Sequence, residues 1–248
     1  MKLILILFCF PLFLLSCSNK TEELATDPLS DYHIALQPGK YIIYRLDSMV
    51  FTNFGASAVT HRYQVKHQVD AQVNDNLGRP SWRIYTYIRD SAGTKPWEPN
   101  GAYWLTTVGT QLEIVEDNYR FIKLHAPVKE GFQWHGNAYL PNNAYSPYYT
   151  FLNAVGIQDW DFTYDMSEPT MSYRGNNYTD VVTVLEDDEQ QNIPVVDENN
   201  FGFHTQAYEK YSKGIGLVFR KYDLWDYQVD PNKHYTGFGI TQWMIEHN

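Results

Sequence analysis

The stretch HRYQVKHQVDAQV, residues 61–73, alternates between two kinds of side chain along its whole length. One set of alternate positions begins with His61, Tyr63, Val65, His67 and Val69. The positions between them carry Arg62, Gln64, Lys66, Gln68 and Asp70. A period of two residues is that of a β-strand, whose successive side chains point to opposite faces. The stretch therefore predicts a strand with one buried face.

Similar short stretches lie on both sides of this strand, separated by turn residues at intervals of roughly ten residues. Examples are SWRIYTYIRD (81–90), QLEIVED (111–117) and YTDVVTVLEDD (178–188). Aromatic residues, which favour strands, make up 16% of the chain. We predict an all-β fold, a single antiparallel β-barrel or strongly curved sheet. Two β halves joined by the irregular segment 141–158 remain an alternative.

The N-terminus carries one lysine and then thirteen apolar residues that end at Leu15. About twenty such residues are needed to span a bilayer as a helix, so this pattern indicates a cleaved signal. We expect a lipoprotein signal peptide at 1–16, a flexible tether at 17–36 and the all-β domain at 37–248. The two halves of that domain would be 37–140 and 159–248. The chain has only two cysteines, and Cys9 leaves with the signal.

The end of the signal, Leu14-Leu15-Ser16-Cys17, resembles the lipobox of bacterial lipoproteins. The resemblance implies that the thiol of Cys17 carries a diacylglycerol and that the chain is cut before it. The new amine would be acylated, for example with palmitate. Several acyl chains anchor a protein stably where one does not. The expected location is the cell outer membrane, with the domain facing the periplasm or the surface.

Two further phrases, FIKLHAPVKEGFQWHGN (121–137) and YSKGIGLVFR (211–220), look like those of a family of Bacteroidota outer-membrane lipoproteins. The ending GFGITQWMIEHN (237–248) adds to the likeness, which covers most of residues 38 to 248. The resemblance implies an outer-membrane-anchored β protein of that phylum. It implies no reaction and transfers no catalytic residue.

Composition and motifs exclude several functions. The formal net charge of −10, with no local basic patch, disfavours nucleic acid as a partner. The chain lacks Gly-x-Ser-x-Gly, His-Glu-x-x-His and a phosphate-binding glycine loop, so we assign no catalytic residue, metal or cofactor. Six residues of strand place His61 and His67 about 20 Å apart, too far to share an ion. The acidic run Glu186–Glu189 fits no established calcium loop and is expected to be a solvated charge run.

Five tryptophans lie in or beside predicted loops or strand ends, where rings can stack on sugars or line an apolar pocket. They are Trp97, Trp104, Trp134, Trp160 and Trp225. Core packing is the alternative for each of them. Ser48 and Ser91 stand in Asp-Ser-Met and Asp-Ser-Ala, which resemble the O-glycosylation motif of Bacteroidota.

The leading hypothesis is a non-catalytic lipoprotein whose β domain binds a ligand or a protein partner at the cell envelope. Its partners would be the membrane, through the lipid on Cys17, and an outer-membrane protein complex or a glycan. The alternatives are a polysaccharide-acting hydrolase with a carboxylate pair and a glycan-binding or structural accessory protein.

Overall fold

A computed structural model describes residues 27–142, 144–146, 148–149, 156–230 and 232–248. Cys17, the predicted signal peptide and the first part of the predicted tether lie outside the described residues. The first six strands are β1 (Tyr41–Thr52), β2 (Ser57–Asn74), β3 (Pro80–Asp90), β4 (Glu98–Val108), β5 (Gln111–Glu116) and β6 (Tyr119–His125). The other six are β7 (Gln133–His135), β8 (Asp161–Tyr173), β9 (Asn176–Gln191), β10 (Gly202–Ser212), β11 (Gly216–Gln228) and β12 (His234–His247). Two 3₁₀ turns occupy Leu29–Tyr32 and Ile157–Asp159.

All twelve strands belong to one antiparallel sheet in the order β6-β5-β4-β3-β2-β1-β12-β11-β10-β9-β8-β7. The first and last strands pair from Ile42 with His247 to Val50 with Phe238. The sheet is therefore continuous through both halves of the chain. The predicted all-β barrel is confirmed in its single-barrel form.

The sheet curls until its two outermost strands, β6 and β7, meet. The backbone N–H of Ile122 donates to the carbonyl of Gly136 at 2.8 Å, and the indole Nε1 of Trp134 donates to the carbonyl of Ile122 at 2.8 Å. A side chain at position 136 would overlap the ring of Phe162, so glycine permits this close approach. These contacts nearly close the barrel.

One end of the barrel is covered by the N-terminal 3₁₀ turn. Leu29 and Tyr32 are buried, and the backbone N–H of Gly214 donates to the carbonyl of Asp31 at 2.6 Å. Gly216 has φ +108°, and a Cβ there would come within 2.7 Å of the nitrogen of Ile34. The expectation of a flexible tether up to residue 36 is therefore corrected at its C-terminal end, because this segment packs on the barrel.

The packing of the barrel interior changes along the strands, from filled at one end to hollow at the other. On β1 the inward residues Ile42 and Tyr44 are 3% and 2% exposed, whereas Ser48 and Val50 line a cavity. We call the first region the packed end and the second the hollow end. The first described residue, Asp27, lies at the packed end, beside the β10–β11 turn at Lys213–Ile215.

The strand predicted from residues 61–73 is confirmed as the middle of β2. Val65 and Val69 are buried, and the ring of His67 lies 4.9 Å from that of Tyr44. His61 is exposed, because this part of β2 extends toward the hollow end. None of the helical turns in the described part of the chain has the length or apolar character that a bilayer crossing requires.

Candidate functional site

The hollow end contains a cavity of about 740 Å³, which reaches the β5–β6 turn at Asp117–Asn118. Its lining is rich in aromatic rings, which are Tyr119, Phe121, Tyr145, Tyr148, Tyr149, Trp160, Tyr222 and Phe238. Aliphatic side chains complete the apolar wall, among them Val50, Leu224 and Ile240. Charged groups line the same space at Glu116, Lys123, Glu186 and Arg220. A cavity of this size and mixed lining suits a small-molecule ligand.

Two of the charged groups come from β-bulges. The β5–β6 register passes from Leu124 to Ile122 and leaves Lys123 unpaired. The β9–β10 register passes from Asp187 to Leu185 and leaves Glu186 unpaired. Bulges re-aim side chains and are common beside functional sites. Here they bring the Nζ of Lys123 to 2.7 Å from Oε1 of Glu186, across the inside of the barrel.

Residues of β10 and β11 complete a buried ion network around this pair. Oε1 of Glu209 accepts a hydrogen bond from Nε of Arg220 at 2.6 Å and lies 3.4 Å from Nζ of Lys123. The hydroxyl of Tyr211 donates to the other oxygen of Glu209. Glu209 is completely buried, and Glu186 is 6% exposed. Buried charges require such partners, because an unpaired charge inside a protein costs several kcal/mol.

The pKa values of the two carboxyl groups in this network are shifted in opposite directions. Burial opposes ionisation of Glu209, but the charges of Lys123 and Arg220, with hydrogen bonds from Tyr211 and Tyr222, lower its pKa to about 2. Burial raises the pKa of Glu186, and the charge of Glu209 adds to the effect, against the opposing charge of Lys123. Glu209 is thus held as the anion of the network, whereas burial works against the charge of Glu186.

The hydrogen-bond geometry agrees with this assignment. The hydroxyl oxygen of Tyr222 lies 2.9 Å from Oε1 of Glu186 and 2.9 Å from Oε1 of Glu209, while Lys123 donates to it at 2.7 Å. Tyr222 has one hydroxyl proton and can donate to only one carboxylate at a time. Both contacts are hydrogen bonds only when one carboxyl is protonated, and Glu186 has the raised pKa.

Glu116 and Arg220 lie at the floor of the cavity. They line both the large cavity and a small one of about 40 Å³ at the packed end. The small cavity is otherwise mostly apolar and contains His67, whose pKa burial lowers to about 3, with a further contribution from Arg220. The floor therefore separates a neutral, packed interior from a charged, hollow one.

The five candidate tryptophans are not brought together. Trp160 is 4% exposed and lines the cavity, and Trp134 is buried at the barrel seam. Trp97 lies outside, with the guanidinium of Arg89 4.1 Å from the centre of its ring. Trp104 lies within β4 and is half-buried. The expectation that these rings occupy loops or strand ends is therefore wrong for Trp104, and only Trp160 lines the main cavity.

Trp225 belongs to a separate groove of about 540 Å³ on the outer face of β1, β2, β11 and β12. Its ring meets Tyr235 edge-on at 5.7 Å, and Tyr235 stacks on Phe51 at 5.3 Å. The two serines of the O-glycosylation motifs are placed differently. Ser48 lines the interior cavity, and the carbonyl of Ser91 accepts hydrogen bonds in the β3–β4 turn. Their modification stays a prediction.

The acidic run at 186–189 is not entirely the solvated charge run that the sequence predicts. Strand β9 continues to Gln191, and Glu186 is buried in the ion network instead of being solvated. The bulge turns its side chain inward. Among the residues that the structure describes, no group of three or more His, Cys, Asp or Glu side chains is arranged to hold a metal ion.

Sequence reasoning did not single out Lys123, Glu209, Arg220 or Tyr222 as a site. A signal was present for Lys123, which stands between the apolar residues Ile122 and Leu124. Its partner is distant in the chain: Lys123 and Glu186 are 63 residues apart. One strand pattern cannot indicate which strand lies opposite across a barrel.

Comparisons with known proteins found solved structures with low similarity to this chain. No family model matches the chain, and no curated protein does. A protein of Bacteroides fragilis, named for export and for a YmcC-like fold, has a TM-score of 0.41 and 9% identity over 88% of this chain and 99% of its own. A domain of Vibrio parahaemolyticus, named for outer-membrane lipoprotein sorting, has a TM-score of 0.19 and 11% identity over 85% of each chain. At these scores neither similarity assigns a ligand, partner or location.

Proposed function

We propose that this chain is a non-catalytic envelope lipoprotein that holds a small amphipathic ligand in the interior of its barrel. The observation that carries the proposal is the cavity of about 740 Å³, lined by aromatic rings and by a few charged groups at its floor. Ligand sites commonly combine a mostly apolar wall with a small number of placed polar groups.

The contrast with the packed end supports a binding role. Protein interiors are normally filled to the density of organic crystals, and empty space within them costs stability. The packed end follows this rule, with a residual space of about 40 Å³. A space almost twenty times larger in the same barrel is therefore better explained by a ligand than by imperfect packing.

The carboxylate pair does not favour the hydrolase alternative. Glu186 and Glu209 have pKa values displaced in opposite directions, as in retaining glycosidases. Glu209, however, is completely buried, and it is held by Arg220 and Tyr211. A nucleophile must reach the substrate, so this pair is better understood as part of the structure that orients Arg220.

The lipid anchor on Cys17 remains part of the proposal. The described chain starts at Asp27, where an ion pair with Lys213 of 2.5 Å fixes it to the packed end. Ten residues, 17–26, separate the proposed lipid from this point. Such a connection would keep the packed end within about 35 Å of the bilayer.

The test is mass spectrometry of small molecules extracted from the full-length protein, purified from envelope membranes. We expect a ligand in the wild type and its loss in Ser48→Trp, because Ser48 lines the cavity and an indole there would occupy the ligand's volume. Thr60→Trp is the matched control, since Thr60 is exposed on the outer face of the neighbouring strand.

Equal recovery of the molecule from Ser48→Trp and wild type, with both folded by circular dichroism, would contradict binding in the cavity. The anchor is tested separately with Cys17→Ala. We expect that variant to leave the membrane fraction and to retain the ligand, because residue 17 lies in the segment before the barrel.

A further inference from the structure

The two charged groups at the cavity floor define the ligand's end group. We propose that the ligand ends in a zwitterion, an anionic group received by Arg220 and an ammonium group received by Glu116. This inference rests on the proposed function, because it names the ligand class of the same cavity.

The position of the two groups is the first support. Arg220 projects from the middle of β11, and Glu116 ends β5 on another part of the wall. Both line the large cavity and the small apolar cavity beneath it. A ligand that fills the large cavity to its floor must therefore meet both.

The unused bonding capacity of these groups is the second support. Arg220 makes one hydrogen bond, from Nε to Glu209, and its two terminal amino groups have no hydrogen-bond partner among the described residues. Glu116 forms no ion pair or hydrogen bond with any residue in the described ranges. The charge of Glu116 contributes to raising the pKa of Arg220, so the two groups interact at a distance without joining.

Desolvation then selects the ligand chemistry. Water in the cavity can solvate both groups, and a bound ligand displaces that water. An apolar end would leave the charge of Glu116 without a partner and the terminal amino groups of Arg220 without hydrogen bonds, which is unfavourable. A simple anion would satisfy Arg220 but repel Glu116, and a simple cation would do the reverse. Only an end with both charges satisfies the two groups at once.

The rest of the lining accommodates an apolar or aromatic body. Tyr119, Phe121, Tyr145 and Trp160 surround the space above the floor. The planar guanidinium of Arg220 can bind a carboxylate or a phosphate through two parallel hydrogen bonds. An aromatic α-amino acid and a zwitterionic phospholipid head share this chemistry, and the experiment separates them.

The binding experiment uses isothermal titration calorimetry on the full chain in detergent, after removal of copurified molecules. The first arm compares L-phenylalanine with its amide, which lacks the carboxylate, and with 3-phenylpropionate, which lacks the ammonium. The second arm compares dihexanoylphosphatidylethanolamine with dihexanoylphosphatidic acid. We expect the zwitterion of at least one arm to bind at least tenfold more tightly than its singly charged relatives.

Variants connect that preference to the two residues. Glu116→Gln should abolish the preference over 3-phenylpropionate or phosphatidic acid, because it removes the ammonium acceptor. Its fold is expected to persist, since Glu116 makes no bond that glutamine would lose. Arg220→Lys keeps a positive charge beside Glu209 but removes the planar guanidinium. It should weaken binding of the zwitterionic probe tenfold. Glu98→Gln is the control. Glu98 is exposed at the start of β4, so this substitution removes the same charge outside the barrel.

Equal affinity for zwitterions and singly charged probes, or no binding of any probe to a folded protein, would overturn this inference. Unchanged selectivity in Glu116→Gln would also overturn it. These results are distinguishable from failure of the proposed function. A copurified ligand that Ser48→Trp excludes, but that is not a zwitterion, would support the binding role and refute the zwitterionic class alone.

Discussion

The packed and hollow ends of the barrel share the same strands but differ in what fills them. At the packed end, Leu112 and Leu124 are 1% and 0% exposed. His67 of β2 lines the small cavity there, and burial lowers its pKa to about 3. At the hollow end, bulges turn Lys123 and Glu186 inward beside a large cavity. The difference indicates that stability is concentrated in one half of the interior, which leaves the other half free to bind.

The largest expected effect comes from the ion network at the boundary between the two ends. Glu209→Gln should lower the free energy of unfolding by about 3–5 kcal/mol, because it removes the anion that Lys123 and Arg220 share. Urea unfolding followed by tryptophan fluorescence measures this. Glu116→Gln is the control, with an expected change within about 0.5 kcal/mol. Equal changes in the two variants would show that the network is not the stabilising element at the floor.

A matched pair of leucines compares the two ends directly. Leu124→Ala should cost about 3 kcal/mol, because it opens a void in a filled region. Leu224 is also buried but already borders the large cavity, so Leu224→Ala should cost less, about 2 kcal/mol. The comparison uses urea midpoints at constant m-value. A larger cost for Leu224 would mean that the hollow end is the better packed one in solution.

His67, a histidine of the packed end whose pKa burial lowers, predicts a pH dependence. The unfolded chain protonates His67 near pH 6.5, while the folded protein does so only near pH 3. Because the unfolded state binds the extra proton, stability should fall as pH is lowered from about 6.5 toward 3, by about 1 kcal/mol per unit. His67→Gln should reduce this slope by one proton when unfolding is measured at pH 6.5, 5.5 and 4.5. An unchanged slope of stability against pH in His67→Gln would show that a group other than His67 takes up the proton.

The smallest expected effect concerns the outer groove. Trp225→Ala should change occupancy of the cavity less than twofold, because its ring lies on the outer face. Trp160→Phe, at the cavity wall, should reduce occupancy at least fivefold. Native mass spectrometry of the bound fraction measures both. A loss of ligand in Trp225→Ala would indicate that the outer groove, and not the cavity, is the binding site.

Part of this architecture could be predicted from the sequence because it is local. The alternation in residues 61–73 corresponds to the middle of β2, and the stretches 81–90, 111–117 and 178–188 correspond to β3, β5 and β9. The tryptophans were harder to place, since an aromatic ring suits a barrel interior, a seam and an outer face equally well. Trp134 lies at the seam, Trp160 lines the interior cavity and Trp225 lies on the outer face.

The sequence by itself determined that the chain forms a meander of antiparallel strands, because side-chain alternation and turn chemistry act over a few residues. Only the tertiary structure decided that β1 and β12 join the two halves and that β6 meets β7. It also decided which charged residues face each other. Lys123 and Glu186 are brought together by two bulges and by the curvature of the whole sheet, and neither effect is encoded within any one strand.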